Sequence, residues 1–207
     1  MNIIANDCVG GFLYKSYGEI YKSPFVWSVL TYKDFVKLLK QYDKIDFSKV
    51  KYNETPNYLF PWYMSQLVVD NKITIYFPHH VKDKKYTEFQ TLNLVKNQSL
   101  VGYAKMDEYL LEHYKKRVER MIETPVFVYS QENRNTEKEL LELLKTAKEH
   151  NRNLIFITSN KELIKDYLDV PTFRFLLKEK NEIKQEIQAE GIKKSFNNYL
   201  EQIWKIN

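Results

Sequence analysis

The chain is poor in cysteine and glycine and contains no long apolar run. Its single cysteine among 207 residues excludes an internal disulfide and any metal site built from several cysteines. No run of apolar residues approaches the roughly 20 that a membrane-spanning helix needs. The amino terminus lacks a basic region followed by an apolar stretch, so we expect no secretory signal. These absences favour a cytoplasmic protein without a transmembrane segment.

The common signatures of nucleotide and metal sites are also missing. Gly10 and Gly11 are the only adjacent glycines, and neither a G-x-G-x-x-G nor a Gly-Lys-Ser/Thr pattern surrounds them. There is no Asp-x-Asp pattern of the kind that holds metal in nucleotide-sugar enzymes. Histidines, cysteines and carboxylates do not show the ligand spacing of a zinc site. We therefore expect no metal and no cofactor.

What the chain does contain is enough apolar residues for one core. Apolar residues make up 43% and charged residues 29%, a balance that argues against disorder. We expect a single domain over 1–207, with 82–107 as a polar loop or inserted flap. The formal net charge of +5 suits an anionic partner but does not by itself favour nucleic acid. Peripheral contact with a phospholipid surface and the oligomeric state stay open.

Short apolar segments alternate with amphipathic ones along the chain. Capping boxes predict helix starts at Thr31 and Thr136, and helical spacing predicts a helix over 109–122 and a long closing helix. The predicted strands are Ile3–Ala5, Phe25–Leu30, Ile73–Phe77, Val126–Tyr129, Leu154–Thr158 and Phe173–Leu177. This alternation predicts an α/β fold: a mostly parallel sheet flanked by helices, as in a Rossmann-like sandwich, with room for a small subdomain.

The first predicted strand ends in a polar segment that carries both adjacent glycines. Asn6, Asp7 and Cys8 follow the strand directly, and Gly10 and Gly11 come next. Glycines permit a positive φ or a close approach of the backbone to another group. Because ligands of α/β proteins often bind where strands end, we expect Asn6, Asp7, Gly10 and Gly11 to line the mouth of the main pocket.

Several residues near the predicted strand ends are candidates for chemistry. Cys8 precedes a helix and fits either a nucleophile with a lowered pKa or, as we favour, a small buried residue. Asp7 and His79 are candidate bases for an acceptor hydroxyl. His79 and His80 are adjacent on an extended chain and point to opposite faces, so one can face a cleft while the other packs.

Cations recur at helical spacing on the predicted helix 109–122. His113, Lys116, Arg117 and Arg120 stand at i, i+3, i+4 and i+7 and therefore share one face. An ordinary solvated face is one interpretation. The other, weighed equally, is a phosphate clamp formed by Lys116, Arg117 and Arg120 in the same cleft as the glycines.

The amino-terminal segment also resembles a bacterial family labelled domain of unknown function 1919, many of whose members are named exopolysaccharide biosynthesis proteins. The resemblance rests on these residues: Ile4-Ala5-Asn6-Asp7-Cys8-x-Gly10-Gly11, Tyr14, Gly18, Tyr21-x-Ser23-Pro24 and Asp34-Phe35-x-Lys37. Weaker similarity continues at Ile73–His80, Tyr114-x-Lys116-Arg117-x-x-Arg120 and Phe156-Ile157-Thr158. Two features depart from the family: Phe60-Pro61-Trp62 lacks a following glycine, and Lys82–Asp107 is longer than the usual connection.

The resemblance implies an α/β fold and a role in surface-polysaccharide assembly, without an established reaction. It adds Tyr14, Ser23 and His80 to the candidate ligand-binding residues, beside Asn6 and Cys8. One hypothesis is a glycosyltransferase-like enzyme acting on a sugar nucleotide or a sugar phosphate, with the basic helix replacing a metal. The alternatives are a Cys8-dependent acyl or group transferase and a non-catalytic protein that binds polysaccharide or a synthase.

Overall fold

A computed structural model describes residues 2–18, 20–53, 64–81, 103–121, 124–131, 135–177, 188 and 190–194, with the backbone alone at 64, 78–81 and 103–109. In chain order the elements are β1 (Ile3–Ala5), α1 (Val9–Tyr17), α2 (Tyr32–Gln41), β2 (Val50–Tyr52), β3 (Met64–Val69), β4 (Ile73–Val81), α3 (Tyr103–Val118), β5 (Val126–Ser130), α4 (Glu137–Glu149), β6 (Asn153–Thr158) and β7 (Phe173–Leu177). Single 3-10 helices lie at Tyr42–Lys44 and Glu162–Tyr167. Positions 82–102 of the predicted loop or flap, and most of the predicted closing helix, lie outside the described residues.

The strands form two sheets. In the first, β1, β5, β6 and β7 are neighbours in that order, and every neighbouring pair is parallel. In the second, β2, β3 and β4 form an antiparallel meander. The parallel sheet and its helices confirm the predicted α/β class, and the antiparallel sheet is an addition that the sequence pattern did not reveal.

Both faces of the parallel sheet are covered. Ile3 and Val126 point to one face and pack with α1 and Ile192. Ile4 and Phe127 point to the opposite face, where they share a core with α2, α4 and the antiparallel sheet. Because strand residues alternate between faces, strands that are buried on both sides read as continuous apolar runs. This is why β5 and β6 were recognisable from sequence.

The segment Phe25–Leu30, predicted to be a buried strand, is not one. Residues 24–27 form a turn, and Trp27 has a positive φ of 58°. Only Val29 is extended against a strand, through an isolated antiparallel bridge to Tyr76. The amide of the next residue, Leu30, donates to the carbonyl of Asn6 at 3.0 Å. The prediction failed because the segment is buried as a turn that joins the two sheets.

Both predicted helix starts are confirmed. The Thr31 side chain accepts a hydrogen bond from the Asp34 amide at the start of α2, and Thr136 and Glu139 form a complete capping box at α4. The helix expected over 109–122 runs instead from Tyr103 to Val118, and Leu110 and Tyr114 on its apolar face are buried. Among the described residues, none of the helices combines the length and apolarity needed to cross a membrane.

Candidate functional site

The glycine pair lies inside α1 rather than in a turn before it. Cys8 is the residue that caps the helix, so Gly10 and Gly11 fall in its first turn. A Cβ at Gly10 would lie 3.1 Å from the Ala5 Cβ, and one at Gly11 would lie 2.4 Å from Cδ2 of Trp27. The glycines therefore permit close packing of α1 on β1 and on Trp27. The positive φ among the described glycines is at Gly18, which ends the helix.

Asn6 is buried and bonded to the neighbouring strand. Its Nδ2 donates to the Ser130 carbonyl at 3.0 Å, and its Oδ1 accepts from the Ser130 amide at 2.8 Å. Beside it, Asp7 Oδ1 accepts from the Val9 amide at 2.9 Å, at the start of α1. Both side chains thus form hydrogen bonds with backbone groups around the end of β1.

Cys8 is buried, with 6% of its surface exposed. Burial, together with the negative charge of Asp7, raises the pKa of the Cys8 thiol to about 12. The expected effect of a helix N-terminus is the opposite. At neutral pH this side chain is therefore a thiol rather than a thiolate nucleophile.

Polar side chains at the carboxyl ends of β5 and β6 extend the cluster that Asn6 begins. Ser130 Oγ donates to Gln188 Oε1 at 3.0 Å, and the Thr158 hydroxyl bonds to Gln131. Ser130, Thr158 and Gln188 are all buried. Sequence reasoning did not nominate them, although the polar residues that end the apolar strands β5 and β6, Ser130 and Thr158, were an available signal.

A cavity of about 330 Å³ lies at the other end of α1. The hydroxyl of Tyr14 accepts from the Ile3 amide at 3.2 Å, so this end of α1 is beside the amino end of β1. One wall comes from α1 and the segment after it, and the other from α3 and the turn that follows it. The lining residues are Tyr14, Lys15, Gly18, Ile20, Tyr21, His113, Arg117 and Arg120.

Arg117 is held in this basic pocket by a hydrogen bond and by an aromatic ring. Its Nη1 donates to the Val26 carbonyl at 3.2 Å, and its Cζ lies 5.6 Å from the centre of the Tyr21 ring. Arg120 Nε donates to the Lys116 carbonyl at 2.8 Å. Lys116 itself does not line the cavity, and its Nζ forms an exposed ion pair with Glu112 at 2.5 Å.

The described lining of the pocket carries positive charge without a carboxylate. Lys15, Arg117 and Arg120 are cationic, and His113 stands among them. Burial, followed by the charges of Arg117 and Lys116, lowers the pKa of His113, and Glu112 opposes this only in part. The neutral imidazole is therefore favoured. Such a pocket offers donors and net positive charge to an anion, and guanidinium groups match phosphate oxygens particularly well.

The structure brings only part of the predicted site together. Arg117, Arg120 and Tyr14 meet in the basic pocket, joined by His113 and by residues that the sequence did not nominate, among them Lys15 and Tyr21. The residues around the glycine pair lie at the opposite end of α1, whose nine residues span roughly 13 Å at 1.5 Å each.

Among the remaining candidates, Ser23 does not belong to the described lining of this pocket. Ser23 is buried, and its hydroxyl accepts from the Phe25 amide at 3.3 Å, within the turn that follows. His79 and His80 are in β4, but their side chains lie outside the described residues. Within the described part of the chain, no three histidine, cysteine, aspartate or glutamate residues are grouped so that they could hold a metal ion.

The fold and the pocket thus define an α/β protein with a cavity lined by basic residues beside its first helix. Residues 1–90 match the model of a family described as Domain of unknown function (DUF1919). The chain is similar to that family over β1 to β4, which includes the glycine pair and the Tyr14–Tyr21 wall of the basic pocket, whereas α3 lies beyond the match. A comparison with curated proteins found no match.

Proposed function

We propose that the protein binds a sugar nucleotide or another phosphate-bearing sugar in the basic pocket and acts as a glycosyltransferase-like enzyme of exopolysaccharide assembly. The observation that carries this proposal is a cavity walled by Lys15, Arg117 and Arg120, with no carboxylate among its described lining residues. A bacterial, cytoplasmic setting belongs to the same proposal. So does a Rossmann-like arrangement, which is supported by a parallel sheet covered by helices on both faces.

In this proposal the arginines do the work of a metal. Arg117 and Arg120 hold the phosphate, and their fixed charges stabilise the negative charge that develops on a departing phosphate. His113 donates to a phosphate oxygen from its neutral ring. Lys116 adds to the positive potential from outside the cavity.

The residue that activates the acceptor hydroxyl is less well defined than the residues that hold the phosphate. Asp7 and His79 are the proposed candidates for removing the proton of an acceptor hydroxyl. Asp7 lies near the first turn of α1, roughly 13 Å from the end of the helix that lines the pocket. A base at Asp7 therefore requires a ligand that runs along α1 from the phosphate.

A Cys8-dependent transferase is the weaker alternative. A thiol whose pKa is raised to about 12 by burial and by Asp7 is almost fully protonated at pH 7, and the thiolate is the nucleophile. A non-catalytic binder of the same phosphate-bearing sugars differs from the enzyme only in turnover, so an activity measurement separates the two.

The proposal is tested by calorimetric titration with a panel of nucleoside diphosphate sugars and sugar 1-phosphates. At least one ligand is expected to bind, and Arg117→Ala should weaken it about ten- to a hundredfold, since a charge-assisted hydrogen bond is lost. Lys145→Ala is the charge-matched control, because Lys145 is exposed on α4 and pairs with Glu149. Equal affinity in the Arg117 variant and the wild type would refute a phosphate role for the pocket.

A second measurement asks whether bound sugar is transferred. Release of nucleoside diphosphate in the presence of oligosaccharide acceptors should be faster with the wild type than with Arg117→Ala. If the protein binds the donor tightly but releases no nucleoside diphosphate with any acceptor of a broad panel, the proposed binding site stands. The protein is then a binding protein and not a transferase.

A further inference from the structure

Trp27 has an unusual backbone conformation. Its φ of 58° lies in the left-handed region, which bulky side chains rarely adopt. Such residues persist where their surroundings fix them, and they are concentrated near functional sites. The surroundings of Trp27 therefore show what the conformation achieves.

The indole of Trp27 occupies the space that Gly11 leaves open on α1. Cδ2, Cε2 and Cε3 of the ring lie 2.4, 2.6 and 2.7 Å from where a Cβ at position 11 would be. The ring also meets Phe12 edge to face, with centroids 4.8 Å apart, and Tyr21 at 6.5 Å. Any side chain at position 11 would have to displace the indole.

Two contacts of the Arg117 guanidinium lead back to Trp27. The acceptor of Arg117 Nη1 is the carbonyl of Val26, the residue directly before Trp27. The aromatic ring beneath Arg117 Cζ is Tyr21, which Trp27 touches. The conformation of Trp27 thus determines where the Val26 carbonyl points and how the Tyr21 ring is supported.

We propose that Trp27, seated over Gly11, is a positioning residue that holds the Arg117 guanidinium in the basic pocket. This inference rests on the proposed function for its consequence, since it is phosphate affinity that the position of Arg117 would govern. Trp27 does not itself line the cavity. Gly11 then acts by accommodating the indole rather than by contacting the phosphate.

The first test needs no ligand and uses His113 as a reporter. Arg117 is the largest of the charges that lower the pKa of His113, so losing Arg117 from its place should raise that pKa. Gly11→Ala displaces the indole, and Trp27→Gly removes it while tolerating the positive φ. In both variants an NMR titration of His113 should give a pKa above the wild-type value and close to that of Arg117→Ala.

Two controls distinguish a loss of Arg117 positioning from a general loosening of the structure around the pocket. Gly191→Ala is the matched variant, because the nearest described neighbour of its new Cβ would be the Leu176 side chain, at 3.3 Å, and the pKa of His113 should not change. Adding Gly11→Ala to Arg117→Ala should produce no further rise, since the group that is displaced is already absent. A further rise in the double variant would mean that the pocket is being hydrated instead, and would overturn the proposal.

The second test measures calorimetric affinity for inorganic pyrophosphate. Gly11→Ala and Trp27→Gly should each weaken binding about tenfold, as expected when one charge-assisted contact is misplaced, while Gly191→Ala binds as the wild type does. An unchanged His113 pKa in both variants would overturn the positioning role whatever the affinities are.

The two proposals fail separately. If the pKa of His113 is raised in both variants but the wild type binds neither pyrophosphate nor any phosphate-bearing sugar, the positioning role is supported and the proposed function is refuted. If Gly11→Ala does not fold, Trp27→Gly decides, because it adds no atoms.

Discussion

Asn6 stabilises the sheet with the same groups that could have bound a ligand. Its amide exchanges two hydrogen bonds with the backbone of Ser130, so the end of β1 is tied to the end of β5. Burying an amide without hydrogen-bond partners costs folding free energy, and the bonds of Asn6 avoid this cost. Around the strand ends, buried polar side chains are therefore used mainly to connect elements.

Cys8 is expected to be unreactive in the folded protein. Its pKa of about 12, raised by burial and by Asp7, leaves a negligible thiolate fraction at pH 7.5. Labelling with a chromogenic disulfide reagent should be slow in buffer and fast in urea. Cys8→Ser should retain ligand affinity. Rapid stoichiometric labelling of the native protein that abolishes ligand binding would contradict this account and favour the Cys8-dependent transferase.

His113 is expected to make stability depend on pH. The folded protein lowers the pKa of His113 from its usual 6.5, chiefly through burial and then through Arg117. Below pH 6.5 the unfolded chain thus binds the proton more readily than the folded protein, so stability falls as pH decreases toward the folded pKa. As pH decreases through this window, the melting temperature of the wild type should fall relative to that of His113→Gln. A constant difference from pH 7.5 to pH 5 would show that the imidazole is not perturbed.

At the scale of elements, α4 shows a helix start fixed by local chemistry. Thr136 accepts from the Glu139 amide at 3.2 Å, and Glu139 Oε2 accepts from the Thr136 amide at 2.8 Å. Thr136→Ala should lower the free energy of unfolding by about 0.5–2 kcal/mol, the usual effect of removing such a cap. Urea denaturation measures the change, with Thr136→Ser as the variant that keeps the hydroxyl. Equal losses in both variants would mean that the methyl group, not the cap, matters.

Elements defined by local patterns were the ones that sequence predicted well. The caps at Thr31 and Thr136 and the apolar strands β5 and β6 depend on neighbouring residues alone. Phe25–Leu30 was mistaken for a strand because burial in a turn and burial in a strand produce the same apolar composition. The pairing of β2 with β3 joins segments that are not adjacent in the sequence. The strand β2 is also too short to show a periodic pattern of apolar residues.

The candidate site was predictable only in part for the same reason. Helical spacing was enough to predict that Arg117 and Arg120 lie on one side of the chain, although Arg120 belongs to the turn after α3. Which end of α1 they meet depends on how α3 packs, and no local pattern encodes that. Lys15 and Tyr21 therefore escaped notice, and the sequence predicted a turn at Gly10 and Gly11 without any sign that Gly11 lies in α1 and accommodates Trp27.

At the scale of the whole molecule, two polar regions occupy opposite ends of α1. The carboxyl ends of β1, β5 and β6 carry a buried hydrogen-bonded cluster that includes Asn6, Ser130 and Thr158. The amino end of β1 lies beside the basic pocket. Ligands of α/β proteins more often occupy the carboxyl side, so assigning phosphate to the basic pocket is the claim that most needs a direct test.

The most direct test is NMR mapping of the backbone amides of labelled protein during titration with pyrophosphate. Our account predicts saturable shifts centred on two segments, 15–21 and 113–120, that weaken with added salt, since the open pocket is screened. Lys15, His113 and Arg117 should be among the residues affected most. Shifts centred instead on Asn6–Gly11 and Ser130–Gln131, with the basic pocket unperturbed at saturation, would contradict the assignment and move the phosphate site to the carboxyl end of the sheet.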